Sequence, residues 1–203
     1  NSNNVLTDFF KTGRYDANRE LKKTISPSMD ILVSSNLERL IYHKSSDEVV
    51  IEKMKELAEN HIFEFKNDFN EFLCGYASED DTKSTIAKTF KEENYLIDPH
   101  TAVAKHIVDE LSLKNTVILS TASPYKFSSS VLSALGENLS QDEFKNIDAL
   151  YKLSGVKIPS EIKKLMDKKI IHKTRINKSE IDEELLKFAS RGKRISVPAT
   201  SAN

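Results

Sequence analysis

The chain has 203 residues, and its 30 basic residues nearly balance 31 acidic ones, which leaves a formal charge of −1. This balance provides no overall field to attract nucleic acid or an anionic membrane, so neither partner is expected. No apolar run approaches the roughly 20 residues of a membrane-spanning helix. A single cysteine, Cys74, excludes an internal disulfide framework and favours a cytoplasmic location.

Glycine is scarce, with five in the whole chain, and no two of the five are neighbours. Usage of about 7% would give about fourteen in a chain of this length. No loop can therefore present the backbone N–H groups of consecutive glycines to a phosphate. If the protein uses a phosphorylated cofactor, we do not expect its phosphate-binding loop in this sequence.

Helical periodicity dominates the first half of the chain. Apolar residues at three- and four-residue spacing predict a helix that continues into an aromatic row: Val50, Met54, Leu57, Ala58, Ile62, Phe65, Phe69 and Phe72. The acidic run that begins at Ser78 predicts the start of the next helix.

One sequence pattern then occurs twice: an apolar run, a polar cap, a proline and an amphipathic helix. The first copy has Asp98 before Pro99, and the second has Ser123 before Pro124. Three further helix starts are predicted, at a Ser140 and Glu143 capping box, at Pro159 and Ser160, and at Ser179 with Asp182.

Short apolar runs predict a few buried strands. The candidates are residues 30–34, 96–97, 116–120 and 169–172. Buried strands cannot satisfy their backbone groups alone, so they need a sheet with more members than this chain offers. Unpaired strand edges invite association, and we therefore expect the chain to self-associate.

Polar side chains follow three of these apolar runs, where ligands of open α/β sheets commonly bind. Each could equally be an ordinary helix cap or a surface residue. The groups are Ser34, Ser35 and Asn36 after the first run, Asp98 and His100 after the second, and Ser120, Thr121 and Lys126 after the third.

Metal and nucleophile patterns are absent from the sequence. His100 and His106 are six residues apart, which on a helix separates them by about 240° around the axis. No HExxH, CxxC, GxSxG, P-loop or GxGxxG motif occurs. We therefore predict no metal site and nominate no catalytic residue from these patterns.

Several segments together resemble one enzyme family. They are the opening NSNNVLTDFFKTGRY, MDILVSSNLERL from Met29, ASEDDT from Ala77, YLIDPHTAVA from Tyr95 and VILSTASPYKF from Val117. In this order they are similar to the C-terminal half of threonine synthase, a pyridoxal-phosphate enzyme of the tryptophan-synthase-like fold. The resemblance implies a helix-rich α/β class, with a few parallel strands and many flanking helices.

The family's reaction converts O-phosphohomoserine and water to L-threonine and phosphate. In such enzymes a lysine holds the cofactor as a Schiff base and a loop rich in Gly and Asn holds its phosphate. Both belong to the half that precedes the matching segments. The resemblance therefore implies that this chain alone is inactive, carries no catalytic residue and does not retain pyridoxal phosphate.

The resemblance also suggests roles for individual residues. Thr121 corresponds to the hydroxyl that faces the pyridine nitrogen. Its neighbour Ser120 is the alternative candidate for this contact. Asp98 and His100 correspond to the helix start that lines the other edge of the cofactor.

On the substrate side, the resemblance places Asn36 together with Ser34 and Ser35. Lys126 is expected to meet an anionic group. Ser123 departs from the pattern, because the family often has His at this position, and we assign it no role.

Residues 1–188 are expected to form the C-terminal part of the enzyme's large domain with its helical insertion, and residues 189–203 a flexible tail. Two alternatives stay open at this stage. One is a related phospho-lyase that releases a 2-oxo acid from the same kind of substrate. The other is a helical interaction module without a ligand, in which each of these polar residues serves only as a helix cap.

Overall fold

A computed structural model describes residues 1–190 of the chain. It divides into two compact units, Asn1–Met166 and Asp167–Asn203. The first unit contains two hydrophobic clusters and all the candidate site residues. The second is described through residue 190 and contains the 3-10 turn Lys178–Glu180 and a last helix, Ile181–Ser190.

The N-terminal part of the first unit is built around a small antiparallel sheet. Its elements are α1 (Val5–Thr12), β1 (Arg14–Asp16), the 3-10 turn Pro27–Met29, α2 (Ser35–Lys44), α3 (Asp47–Asn60) and β2 (Ile62–Glu64). Strands β1 and β2 pair so that Tyr15 lies opposite Phe63.

An aromatic cluster fills the space between α1 and this sheet. The Tyr15 and Phe63 rings stack with centroids 5.1 Å apart, and Phe9 packs against both of them and against Phe69. Because large rings bury much apolar surface and also gain from ring-to-ring contact, this cluster accounts for much of the stability of the small sheet.

The C-terminal part of the first unit is helical. Its elements are α4 (Glu79–Glu93), α5 (Pro99–Glu110), the 3-10 turn Pro124–Phe127, α6 (Ser128–Ala134), α7 (Glu143–Ser154) and α8 (Ser160–Met166). These helices enclose the second cluster, whose buried members are Ile86, Leu96, Ile97, Ala102, Tyr125, Val131, Leu132, Ile147 and Leu150.

The helix starts predicted at Ser78, Asp98 and Ser123 are confirmed. Ser78 forms a capping box with Asp81, and the Ser78 hydroxyl and N–H hold the pKa of Asp81 below its ordinary value. Asp98 and Ser123 each accept a backbone N–H two residues later. Both prolines stand at the start of their helical segments, as their missing N–H allows.

The predicted continuation of helix α3 through the aromatic row is wrong. His61 adopts a left-handed conformation, with φ of 59°, and its N–H bonds to the Leu57 carbonyl, which ends the helix. Ile62 then opens strand β2, and Phe65 and Phe69 reach the aromatic cluster from irregular chain. Helical spacing of apolar residues therefore reflected a shared core rather than a shared helix.

The predicted parallel strands are also wrong in position and direction. Within residues 1–190, β1 and β2 are the strands present, and they are antiparallel. None of the segments 30–34, 96–97, 116–120 and 169–172 is a strand. A strand requires a neighbour to bond with, and an apolar run does not provide one by itself.

Two of the later helix starts differ from expectation. Asp142, not Ser140, caps α7, and Glu143 accepts hydrogen bonds from Ser129 instead of closing a capping box. Near the last helix, Asn177 forms a capping box with Glu180 in place of the predicted Ser179 and Asp182 pair. At α7 the Asp142 side chain accepts from the Phe144 N–H, and before the last helix the Glu180 carboxylate accepts from the Asn177 N–H.

Helix α8 follows Pro159 as predicted. Of the predicted tail, residues 189 and 190 end the last helix, and residues 191–203 lie outside the described range. In the described part of the chain, no helix combines the length and the apolar character needed to cross a membrane.

Gly13 and Gly155 offer a matched test of this backbone. Each ends a helix with positive φ, 73° and 66° respectively. A Cβ on Gly13 would lie 3.1 Å from Lys66 Cγ and 3.3 Å from the Phe65 carbonyl oxygen, whereas one on Gly155 would meet nothing within 4 Å. The two sites therefore share the conformational cost of a side chain and differ in the steric cost.

We expect Gly155→Ala to lower the free energy of unfolding by about 1 kcal/mol and Gly13→Ala by about 2 kcal/mol. Urea unfolding of both variants measures the difference. Equal losses would show that Phe65 and Lys66 do not pack closely enough against Gly13 to oppose a Cβ atom there.

Candidate functional site

The Asp98 carboxylate is the centre of the candidate site. It is fully buried at the start of α5. Oδ1 accepts hydrogen bonds from the His100 backbone N–H and from His100 Nδ1, both at 2.9 Å, and Oδ2 accepts one from the Thr101 hydroxyl. A buried carboxylate is stable only with such partners, so these three donors determine where Asp98 can lie.

His100 connects Asp98 to a distant part of the chain. Its Nε2 lies 3.2 Å from the backbone nitrogen of Ser28, in the 3-10 turn Pro27–Met29. A backbone N–H can only donate, so Nε2 accepts and the ring proton resides on Nδ1, which donates to Asp98. The ring of Phe127 packs on the imidazole with centroids 4.8 Å apart.

Ser120 and Thr121 lie beside the start of α5 but differ in their contacts. Ser120 Oγ is 3.2 Å from Thr101 Oγ1, which places it one hydroxyl away from Asp98. Thr121 is exposed, and its hydroxyl has no hydrogen-bond partner among residues 1–190. The predicted pair therefore consists of one hydroxyl bonded to the protein and one open to solvent.

Ser34 and Asn36 line a cleft of about 380 Å³, to which Ser28 and Val103 also contribute. The Ser34 backbone N–H donates to the Tyr15 hydroxyl, which in turn donates to the Leu32 carbonyl. Burial raises the pKa of Tyr15, and the Ser34 hydrogen bond partly opposes this rise. Because Ser28 bonds to His100, the cleft adjoins the Asp98 centre.

Ser35 and Lys126 are less closely connected to this centre. Ser35 is exposed and lines a different surface depression, with Arg39 and Tyr42. Lys126 is exposed, and its Nζ lies 5.6 Å from the centroid of the Phe127 ring that covers His100. Neither side chain contacts Asp98, Ser120 or Thr121 through a hydrogen bond in the described residues.

Three residues of this arrangement were missed in the sequence: Ser28, Thr101 and Phe127. A hydroxyl three residues after a helix cap is a recognisable signal, and it could have identified Thr101. Ser28 contributes a backbone N–H from 72 positions away, and no local pattern indicates such a contact.

The described residues contain no cluster of three or more His, Cys, Asp or Glu side chains placed to hold a metal ion. The centre instead combines one buried carboxylate, one imidazole and three hydroxyls. Such a centre can orient other groups through hydrogen bonds. A neutral hydroxyl such as Thr121 can donate to a nitrogen or a phosphate oxygen without adding charge.

Comparison with known proteins identifies related sequences. Residues 101–187 match the family model described as "Threonine synthase, C-terminal". Human "Threonine synthase-like 1" is 39% identical over 145 residues, which cover 66% of this chain and 20% of that protein. "Threonine synthase" of Saccharomyces cerevisiae is 32% identical over 220 residues, which cover 93% of this chain and 41% of that protein.

A solved structure supports the same relationship. The fold matches the pyridoxal-phosphate-bound threonine synthase of Brucella melitensis with a TM-score of 0.74 and 28% identity. The match covers 94% of this chain and 39% of that one. The resemblance seen in the sequence and the helix-rich α/β class are confirmed, and the chain spans between about a fifth and two fifths of the relatives it matches.

The Asp98 centre leads to a stability prediction. Asp98→Ala leaves the two His100 donors and the Thr101 hydroxyl without an acceptor, so we expect a loss of about 3 kcal/mol in the free energy of unfolding. Asp142→Ala is the matched control, because Asp142 also caps a helix, α7, but at an exposed position. Its removal should cost about 1 kcal/mol.

Urea unfolding of the two variants provides the comparison. Similar losses for Asp98→Ala and Asp142→Ala would mean that Asp98 is no more than a helix cap.

Proposed function

We propose, on the premise that this chain belongs to the threonine synthase family, that it forms the C-terminal part of an enzyme that uses pyridoxal phosphate. The proposed reaction converts O-phosphohomoserine and water to L-threonine and phosphate. The proposal includes the inactivity of this chain by itself. A cytoplasmic location stays a prediction.

The observation that carries the proposal is an apolar segment left uncovered beside the Asp98 centre. Val117 and Leu119 are 85% and 78% exposed, although they lead directly to Ser120 and Thr121. The backbone of residues 117–121 makes no hydrogen bond within the described chain. Such a segment is suited to pairing with a further strand, and the matched threonine synthase is more than twice as long as this chain.

The residues present fit one edge of pyridoxal phosphate. The open Thr121 hydroxyl suits a pyridine nitrogen, and the buried network behind Ser120 gives that edge a fixed support. The isolated glycines cannot form a glycine-rich phosphate-binding loop. We therefore assign the phosphate loop and the cofactor-binding lysine to the part of a threonine synthase that this chain does not match.

The bound cofactor would supply an electron sink for reactions at the substrate's carbon atoms. Thr121 would donate a hydrogen bond to the ring nitrogen and, being neutral, leave that nitrogen largely unprotonated. Asp98 and His100 would hold the helix start and the turn at Ser28 together along the ring. Ser120 would lie next to Thr121, in contact with Thr101 of the buried network.

Substrate contacts are proposed for the residues around the cleft. Ser34 and Asn36 line it, and Ser35 lies next to them at the start of α2. Their neutral polar groups can bind the amino acid part of O-phosphohomoserine. Lys126 is exposed and positively charged, which suits the substrate's phosphate.

A second candidate function is the phospho-lyase that releases a 2-oxo acid. It is kept as a candidate because the chain matches human "Threonine synthase-like 1" as well as proteins named threonine synthase. Analysis of the products separates the two reactions. The third alternative, a helical interaction module, predicts neither product and no affinity for the cofactor.

The function is tested by assaying this chain alone and joined to the remainder of its enzyme, with O-phosphohomoserine and pyridoxal phosphate. We expect no phosphate from the chain alone, and equal amounts of threonine and phosphate from the complete enzyme. A 2-oxo acid product would replace the first function with the second. Failure of the complete protein to bind the cofactor would contradict both.

In the complete enzyme, Thr121→Ala should reduce threonine formation about tenfold, which corresponds to one lost hydrogen bond of about 1.4 kcal/mol. Thr116→Ala is the matched control, since Thr116 begins the same segment and, among residues 1–190, its hydroxyl bonds only to the nearby Lys114 carbonyl. Unchanged turnover in Thr121→Ala would remove Thr121 from the site.

The uncovered segment also leads us to expect self-association of the chain alone. Val117→Lys should reduce it, because a charge on an edge segment opposes pairing. Analytical ultracentrifugation over a range of concentrations measures the change. A wild-type chain that stays monomeric throughout that range would contradict the expectation.

A further inference from the structure

The Tyr15 hydroxyl supports the backbone on both sides of one residue in the loop that precedes α2. It donates to the Leu32 carbonyl at 2.8 Å and accepts from the Ser34 N–H at 3.1 Å. A carbonyl only accepts and an N–H only donates, so both directions are fixed. Neither backbone group has another hydrogen-bond partner among residues 1–190. One side-chain oxygen therefore holds the chain on both sides of Val33.

The position of that oxygen is itself fixed by the aromatic cluster. Tyr15 is 1% exposed, and its ring stacks on Phe63 and meets the edge of Phe9. Burial raises the pKa of Tyr15, so the hydroxyl keeps its proton at neutral pH and continues to donate to Leu32. The Leu32 side chain packs against the same cluster, whereas Val33 is 57% exposed. Beyond Leu32, the hydrogen bond from its N–H to Tyr15 ties the backbone of residue 34 to this cluster.

Ser34 presents an uncommitted hydroxyl to the cleft. It occupies the position before α2, where a serine commonly caps the helix, but its side chain accepts none of the helix N–H groups. The residue is 8% exposed, and its hydroxyl has no hydrogen-bond partner among residues 1–190. No inaccessible side-chain oxygen in this range lacks a partner, so the Ser34 oxygen must be accessible, and the cleft is the space beside it. A hydroxyl in this setting is suited to a molecule bound in the cleft.

We propose that Tyr15 is a positioning residue for the substrate side of the site: by holding the backbone of Leu32 and Ser34, it keeps the Ser34 hydroxyl at the wall of the cleft, where that hydroxyl binds the substrate. Tyr15 also borders the cleft, but it is almost fully buried and its single proton is used at Leu32, so it acts through Ser34. The identity of the substrate rests on the function proposed above. The link from Tyr15 to Ser34 does not.

The first experiment tests this link in the full 203-residue chain, without cofactor or substrate. Amide hydrogen exchange at Ser34 is measured in the wild type and in Tyr15→Phe, which keeps the ring that stacks on Phe63 and removes the hydroxyl. Because the Ser34 N–H then loses its acceptor, it should exchange at least about tenfold faster. An unchanged exchange rate at Ser34 would overturn the link.

The Phe65 N–H is an internal control for the stability of the same region. It donates to the Gly13 carbonyl at 2.8 Å, next to the small sheet that contains Tyr15. In Tyr15→Phe its exchange should change less than about threefold, because the lost contacts are in the loop and not in the sheet. Equal acceleration at Phe65 and Ser34 would show that Tyr15 only stabilises the sheet, and would overturn the positioning role.

Tyr125→Phe is the matched control variant. Tyr125 is also buried, and its hydroxyl donates to a backbone carbonyl, that of Val156, in the other hydrophobic cluster. This variant removes the same chemical group from a buried ring without touching the loop before α2. Exchange at Ser34 should therefore match the wild type, and acceleration there as large as in Tyr15→Phe would overturn the link.

The second experiment measures the steady-state kinetics of the complete enzyme with O-phosphohomoserine. Ser34→Ala should raise KM about tenfold with kcat retained, as expected for a contact made equally to the substrate and the transition state. Tyr15→Phe should raise KM by a similar factor, whereas Tyr125→Phe should match the wild type. An unchanged KM in Tyr15→Phe, or a loss confined to kcat, would overturn the positioning role.

The double variant of Tyr15→Phe with Ser34→Ala shows whether Tyr15 acts through Ser34. Because both changes remove the same contact, the double variant should raise KM no more than about twofold beyond Ser34→Ala. Multiplied effects, about a hundredfold in total, would mean that Tyr15 acts on another group and would overturn the proposal. If the wild-type enzyme does not convert O-phosphohomoserine, the proposed function fails, and the exchange rates of the chain alone still decide the link between Tyr15 and Ser34.

Discussion

A buried carboxylate, Asp98, is the constraint on which the arrangement of this molecule depends. Removing an ionised group from water costs several kcal/mol even in a relaxed protein, and only well-placed donors offset that cost. The donors come from the first turn of α5, and one of them, His100, is itself held by the Ser28 N–H from far along the chain. Thr101 extends the same network to Ser120.

This network fixes the buried residues at the start of α5, next to a segment that is largely exposed. Within the described residues, no buried side-chain nitrogen or oxygen lacks a hydrogen-bond partner, and two apolar clusters are well formed. The segment with Val117 and Leu119 is the contrast, because its apolar side chains face solvent. The buried polar groups of the described residues are therefore satisfied, whereas the apolar side chains beside Ser120 are exposed.

The sequence predicted local features well and distant ones poorly. Caps at Ser78, Asp98 and Ser123 were correct, because a side chain and an N–H two or three residues away decide them. The strands were wrong, because pairing depends on partners elsewhere in the fold. The end of α3 at His61 gave no signal, since it is a non-glycine residue in a left-handed conformation. The network could be anticipated at Asp98 and His100, but its extension to Ser28 could not.

The most direct measurement of the central claim is which ring nitrogen of His100 carries the proton, read from the side-chain 15N shifts of the full chain. An Asp98-centred network predicts a proton on Nδ1 and a bare Nε2 that accepts from Ser28. The Asp98→Ala variant should lose this pattern. A neutral ring with its proton on Nε2 in the wild-type chain would contradict the network, because the Ser28 N–H would then face a second donor and Asp98 would lose the Nδ1 donor.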